Sequence, residues 1–135
     1  MRRMRDRWWL AAIRPGGKPE GVWALPKGLV GRGEDPVATA LREVAEETGL
    51  EAVPVTKLGD TRYVYTRAGA RIFKIVSFYF VRYRRGRIGD ISAEHAHEIE
   101  EARWLPLEQA PKLLSYRGER EMADRALAYV RDHVV

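Results

Sequence analysis

The chain has 135 residues, 45% hydrophobic and 32% charged, with a formal net charge of +5. These proportions exclude a disordered tail and describe one globular domain over 1–135, large enough to bury a core. The absence of cysteine excludes disulfides and thiolate metal sites and suits a reducing cytoplasm, while the basic balance favours polyanionic ligands.

The N-terminal residues 1–6 are mostly charged, and Arg7 to Ile13 reads as a strand. Its apolar part, Trp8 to Ile13, stops at Arg14-Pro15, short of the core of a signal peptide, and no stretch reaches the length of a membrane span. A loop rich in turn residues covers 14–21, and Val22 to Leu25 is a short strand. A helix is expected from Pro36 to Thr48. Asp35 can cap it, Pro36 suits the first turn, and Gly49 fits the left-handed residue after its end. Val37, Leu41, Val44 and Thr48 make its inward side. Glu51 begins a strand region. Thr61–Thr66 and Arg71–Tyr83 then form a hairpin turning at Arg67–Ala70, with the β-prone run Ile72–Val81 as a central strand. Residues 84–97 read as polar loop, Ile99–Leu105 as a strand, Leu107–Leu114 as a short helix and Glu119–His133 as an amphipathic helix. The basic runs at 2–7 and 82–87 read as solvated, with phosphate steering or RNA contact as the alternative.

The chemistry concentrates on the first helix. Glu43, Glu46 and Glu47 stand at i, i+3 and i+4, and at about 100° per residue they share one stripe. Like charges at that spacing destabilise a bare helix, whereas a hard cation neutralises them; Mg²⁺ takes oxygen ligands and leaves positions for substrate phosphates. Arg42 borders the stripe and can orient one carboxylate through a forked hydrogen bond. Gly28 and Gly33 allow a tight loop ahead of the helix, from which Glu34 turns back. The competing reading is a solvated acidic face, which accounts for neither the glycine spacing nor Glu34.

Gly28, five residues, Glu34, seven residues, then Arg42-Glu43-Val44-Ala45-Glu46-Glu47-Thr48-Gly49-Leu50 resembles the Nudix box at every fixed position. The preceding Leu25-Pro26-Lys27 and the later Trp104-Leu105-Pro106-Leu107 extend the resemblance over nearly the whole chain. It implies an α+β fold, a mixed β-sheet sandwiched between α-helices, with the box helix under the active site. In that family an apolar strand precedes the one containing Trp9 to Ile13. Here only Met1 to Asp6 stand before it, so that strand is missing or is supplied by a partner chain.

The resemblance further implies attack of water on phosphorus in a nucleoside diphosphate linked to another group. One or more Mg²⁺ ions, with Mn²⁺ as a substitute, would be held by Glu43, Glu46 and Glu47 and by the backbone carbonyl of Lys27 or Gly28. Glu46, Glu98 and Arg42 are the candidate catalytic residues, Glu98 as the carboxylate beyond the box that acts as ligand or general base. Gly28, Glu34 and Gly49 shape the box. His95 and His97 have an i,i+2 spacing, with no third ligand for a zinc site. For the substrate, Lys27 in Leu-Pro-Lys-Gly resembles enzymes acting on dinucleoside polyphosphates or diphosphoinositol polyphosphates, with diadenosine polyphosphates such as diadenosine tetraphosphate the expectation here. Arg62 and Lys74 are candidates to line a polyphosphate channel, with Tyr63, Tyr65 and Tyr79 to stack an adenine. The alternatives are an oxidised (d)NTP sanitiser, an RNA 5′-end pyrophosphohydrolase, or a catalytically idle nucleotide-sensing module. The partner expected is a nucleotide or polyphosphate, with no membrane contact, and the chain is a monomer or homodimer.

Overall fold

The computed structural model describes residues 1–30 and 33–133. Its elements are β1 (Arg2–Met4), β2 (Arg7–Pro15), α1 (Pro36–Thr48), β3 (Glu51–Arg67), β4 (Ala70–Arg85), a 3₁₀ turn (Ala96–Glu98), β5 (Ile99–Pro106), α2 (Ala110–Leu113) and α3 (Arg117–Asp132). All named strand pairs are antiparallel. One sheet has the order β1-β2-β5, and the second is the long β3-β4 hairpin.

The N-terminal strand is present. Met4 pairs with Arg7 across a two-residue turn at Arg5 and Asp6, both of positive φ, a geometry whose twist matches a hairpin. The amine of Met1 donates to the Val81 carbonyl at 3.0 Å, and the Tyr83 amide donates to the Met1 carbonyl at 2.7 Å. These two bonds join the sheets. Arg2 lies over the Tyr83 ring at 4.2 Å, so this charged segment forms a strand partly by stacking its cation on an aromatic face.

Two further expectations are corrected. Val22 to Leu25 contributes one bridge, Ala24 with Ile13, and not a strand. Among the described residues β4 pairs along its length with β3 and hydrogen-bonds toward the first sheet near Val81 and Tyr83, so its outer half is not central; Phe73 and Ile75 there are 62% and 63% exposed. The hairpin turn falls at Ala68-Gly69, inside the expected segment.

The core lies between the inner faces of the sheets and α2 and α3. Leu10, Trp23, Leu25, Phe78, Phe80, Leu105, Leu107 and Met122 are its large members. Alternation along β4 sends Val76, Phe78 and Phe80 inward. α1 packs chiefly on β3 and β4. Its fully buried residues are Thr39 and Thr48, while Val37, Leu41 and Val44 are only half-buried. Both threonines can be buried because their hydroxyls are bonded, Thr39 to Glu34 and Thr48 to the Val44 carbonyl.

Candidate active site

The ends of α1 are set locally. The Asp35 carboxylate accepts the Ala38 amide at 2.8 Å, and Gly49 adopts φ 81° while its amide returns to the Ala45 carbonyl. That Gly49 conformation also admits a close neighbour, since a Cβ there would overlap the Asp90 carbonyl. The expected tight loop before the helix includes Gly31 and Arg32, which lie outside the described residues.

Arg42 organises the acidic stripe. Its Nε and Nη2 form a fork on Glu34, at 2.8 and 3.1 Å, while Nη1 donates to Glu43 at 2.9 Å and to Glu46 at 3.0 Å. One guanidinium thus fixes three carboxylates. Glu34 first, then Glu46 and Glu43, hold the Arg42 pKa above its ordinary value. Glu47 is held by the Lys27 amide, which donates to Oε2 at 2.8 Å.

The 3₁₀ turn brings the second carboxylate source. The His95 ring stands between Glu46, 3.8 Å from Nε2, and Glu98, 3.7 Å from Nδ1. Burial raises the Glu43 pKa, with the charges of Glu46 and Glu98 adding to it. Burial also pushes Glu47 up to about 8, and Glu43 and Glu98 contribute in the same direction. Four carboxylates therefore repel one another in a half-buried, all-oxygen cluster. That donor set fits a hard divalent cation. A cradle supports it: a Cβ on Gly28 would overlap the Glu43 carboxylate, so the loop presses its bare backbone against that side chain. Among the described residues no three acidic or histidine side chains already surround one point, because Arg42 and the Lys27 amide hold individual oxygens.

The candidate substrate residues do not share one wall. Tyr63 is paired with Lys74 and Tyr65 with Ile72, which puts Tyr63, Tyr65 and Lys74 on one face of the hairpin. Arg62 and Tyr79 lie on the opposite face by strand alternation. Tyr79 lines a cavity of about 40 Å³ with Lys27, Gly28, Thr39 and Val44, beside α1. The Tyr63 hydroxyl instead donates to Glu119 at 2.7 Å, and burial, then the Glu119 charge, raises its pKa above the usual range. The Lys27 ammonium also turns inward, 2.9 Å from Glu119. His97 is exposed, and its Nε2 lies 3.9 Å from Glu98, so the two histidines flank one carboxylate, with no three-ligand metal group among the described residues.

Two residues stand beside the candidate site without a place in the sequence reading of it. The spacing offers His95 only as half of a zinc pair. Glu119 did leave a signal, since it precedes Met122, Ala123 and Ala126 by three, four and seven residues and so lies on the buried stripe of α3.

The NUDIX domain family model matches residues 1–126. The chain belongs to the Nudix family. Among curated relatives, MutT4 of Mycobacterium tuberculosis is 37% identical over 78% of this chain and 41% of its own length. The 8-oxo-(d)GTP phosphatase of Mycolicibacterium smegmatis is 33% identical over 76% of this chain and 29% of its own. The asymmetrical bis(5′-nucleosyl)-tetraphosphatase of Mus musculus is 33% identical over 70% and 63%. The chain thus spans less than two thirds of each of these relatives. A solved Caenorhabditis elegans Ap4A hydrolase complex has the same fold, with TM-score 0.72 and 22% identity over 98% of this chain and 93% of that one. No helix among the described residues is long and apolar enough to cross a membrane.

Proposed function

We propose that this Nudix chain is a Mg²⁺-dependent pyrophosphohydrolase cleaving a nucleoside diphosphate linked to another group, with diadenosine polyphosphates as its substrates. The observation that carries the reaction class is the cluster of Glu43 and Glu46, both bonded by Arg42, with Glu47 held by the Lys27 amide and Glu98 close enough for its charge to act on Glu43 and Glu47. Glu43, Glu46 and Glu47 would hold the metal, with a backbone carbonyl of the Lys27-Gly28 loop beside them. Bound Mg²⁺ supplies charge neutralisation at the pyrophosphate oxygens and acidifies water. The chain's own residues position and exchange protons. Arg42 keeps Glu43 and Glu46 in fixed rotamers, and the Lys27 amide does the same for Glu47. Glu98 stands open to solvent next to them and accepts the proton of the attacking water.

The substrate reading is supported by the likeness to the mouse tetraphosphatase and by the +5 net charge, which attracts a polyphosphate. A second reading, sanitising of oxidised (d)NTPs, is favoured by the equal identity to the 8-oxo-(d)GTP phosphatase and by the inward pairing of Lys27. Hydrolysis of a panel containing diadenosine tetraphosphate, 8-oxo-dGTP and 5′-triphosphorylated RNA, with products identified, separates these. Preferential release of ATP and AMP from diadenosine tetraphosphate supports the first reading. Preferential release of 8-oxo-dGMP supports the second. Nucleotide binding without turnover of any member returns the chain to the sensing-module alternative.

A further inference from the structure

Glu119 on α3 is fully buried, yet it is engaged by three groups on two other parts of the chain. It accepts hydrogen bonds from the Leu25 amide at 2.6 Å and the Tyr63 hydroxyl at 2.7 Å, and it forms an ion pair with the Lys27 ammonium at 2.9 Å. The ammonium lies 5.7 and 5.6 Å from the ring centres of Tyr63 and Tyr116, so the pair sits inside an aromatic wall. Lys27 is meanwhile gripped from the other side, through its amide on Glu47. A continuous path therefore runs from α3 through one loop residue to the acidic face of α1.

A buried carboxylate is costly unless its partners are complete, and an apolar residue beside Met122 and Ala126 would fill the same space without that cost. What an apolar residue cannot do is grip Leu25 and Lys27. Among the described residues this segment's one strand bridge is at Ala24, and its backbone is otherwise anchored at Trp23, whose carbonyl accepts the Ser115 amide, so beyond Ala24 side-chain bonds help set its direction.

We propose that Glu119 is a positioning residue for the metal site. Through Lys27 it fixes the loop that presses Gly28 on Glu43 and the Lys27 amide on Glu47, and Lys27 is its internal counter-ion, not a phosphate contact. This rests on the metal-dependent reading above. The probe is Mn²⁺ alone, titrated without nucleotide and followed by electron paramagnetic resonance. Wild type, Glu119→Gln, Lys27→Met and the double variant are compared, with circular dichroism and Tm recorded on the same samples. Each single variant, folded at the titration temperature, is expected to bind Mn²⁺ about 10-fold more weakly or worse. The double variant lacks the same link and is expected to bind about as weakly as the weaker single variant, because the two losses share one cause and do not add.

A lysine that touches only substrate phosphate leaves Mn²⁺ affinity unchanged in Lys27→Met. A glutamate that only packs the core lowers Tm in Glu119→Gln without changing the affinity. Either result overturns the proposal, as does a double variant in which the two losses simply add. If Glu119→Gln does not fold, Lys27→Met, whose side chain reaches the surface, decides by the same criterion. A wild type that binds no Mn²⁺ overturns the metal-dependent reading and this proposal with it. Wild-type binding with unchanged variants overturns this proposal alone.

Discussion

Gly28 lies so close to the Glu43 carboxylate that even a methyl group on its Cα would overlap Oε1, Cδ and Cγ of that side chain. Glu43 is also held by Arg42, so it cannot move aside without breaking a 2.9 Å hydrogen bond. The loop and the helix are thereby set against each other at the point where the metal is expected. Gly28→Ala should displace Glu43 and lower Mg²⁺ or Mn²⁺ affinity by about 10–100-fold. Overpacking should also cost about 1–3 kcal/mol in unfolding free energy. Isothermal titration with Mn²⁺ and chemical denaturation measure the two effects separately. Wild-type affinity in Gly28→Ala would show that Glu43 is not a ligand in that rotamer.

Removing the metal, or the ligands one at a time, tests the cluster directly. Activity should require Mg²⁺ or Mn²⁺ and vanish in excess EDTA. Glu46→Gln and Glu47→Gln should each lower the rate by roughly 10²-fold or more, while preserving the fold because amide and carboxylate are nearly the same size. The two need not be equal. Glu46 shares Arg42 with Glu43, whereas Glu47 answers to the Lys27 amide, so Glu47→Gln also disturbs the loop. Full turnover in EDTA, or in both variants, would make the stripe a solvated acidic face.

The raised pKa of Glu47 gives a pH dependence with a definite sign. Its folded value, about 8, stands above the unfolded carboxylate value near 4.5. The folded metal-free protein therefore binds this proton more tightly than the unfolded chain, so stability falls as pH rises between those values. Metal reverses the preference, since a ligand carboxylate must be ionised. Melting of the EDTA-treated protein should show Tm decreasing from pH 5 to pH 8, and the stabilisation by saturating Mg²⁺ should grow over the same interval. In Glu47→Gln the slope of the metal-free protein should flatten. A metal-free Tm that rises over this range in wild type but not in Glu47→Gln would contradict the burial of this carboxylate.

What the sequence made legible is what local physics decides. The bounds of α1 follow from Asp35, Pro36 and Gly49, each of which acts within one turn, and the helix runs from Pro36 to Thr48 as read. The hairpin turn at Ala68-Gly69 has the same local origin. β1 was hidden because its apolar content is low; it forms through pairing to β2 and through the Met1 bonds to Val81 and Tyr83. Arg84 and Arg85 belong to β4 for a similar reason, since Arg85 pairs with Glu51 across the hairpin. The split of Tyr63 and Lys74 from Arg62 and Tyr79 follows from alternation once the register is known, and register is a long-range property. Glu119 was legible as a residue on the buried stripe, but its partner Leu25 lies 94 positions away in the sequence. No periodicity specifies such a contact.

The assignment of the general base rests on position among four acidic neighbours. Glu100 accepts the Gly17 amide at 3.2 Å, Glu101 is engaged by Arg103 at 2.6 Å, and Glu94 is exposed. Glu98 alone of the four contributes its charge to both Glu43 and Glu47. Its carboxylate is about half exposed and open to water, with the His95 ring 3.7 Å away. Glu98→Gln keeps that shape and removes the proton acceptor, so kcat should fall by about 10²–10⁴-fold while KM moves little. The acidic limb of the pH–rate profile should change with it, because the titrating base is gone. The same exchange at Glu94, Glu100 and Glu101 should leave both the rate and the profile near wild type. If one of these loses activity and Glu98→Gln does not, the base belongs to that neighbour and the loop must move to deliver it. If all four variants are active, the proton goes to the box itself. Glu46 then becomes the base, since one of its oxygens faces His95 while the other is held by Arg42.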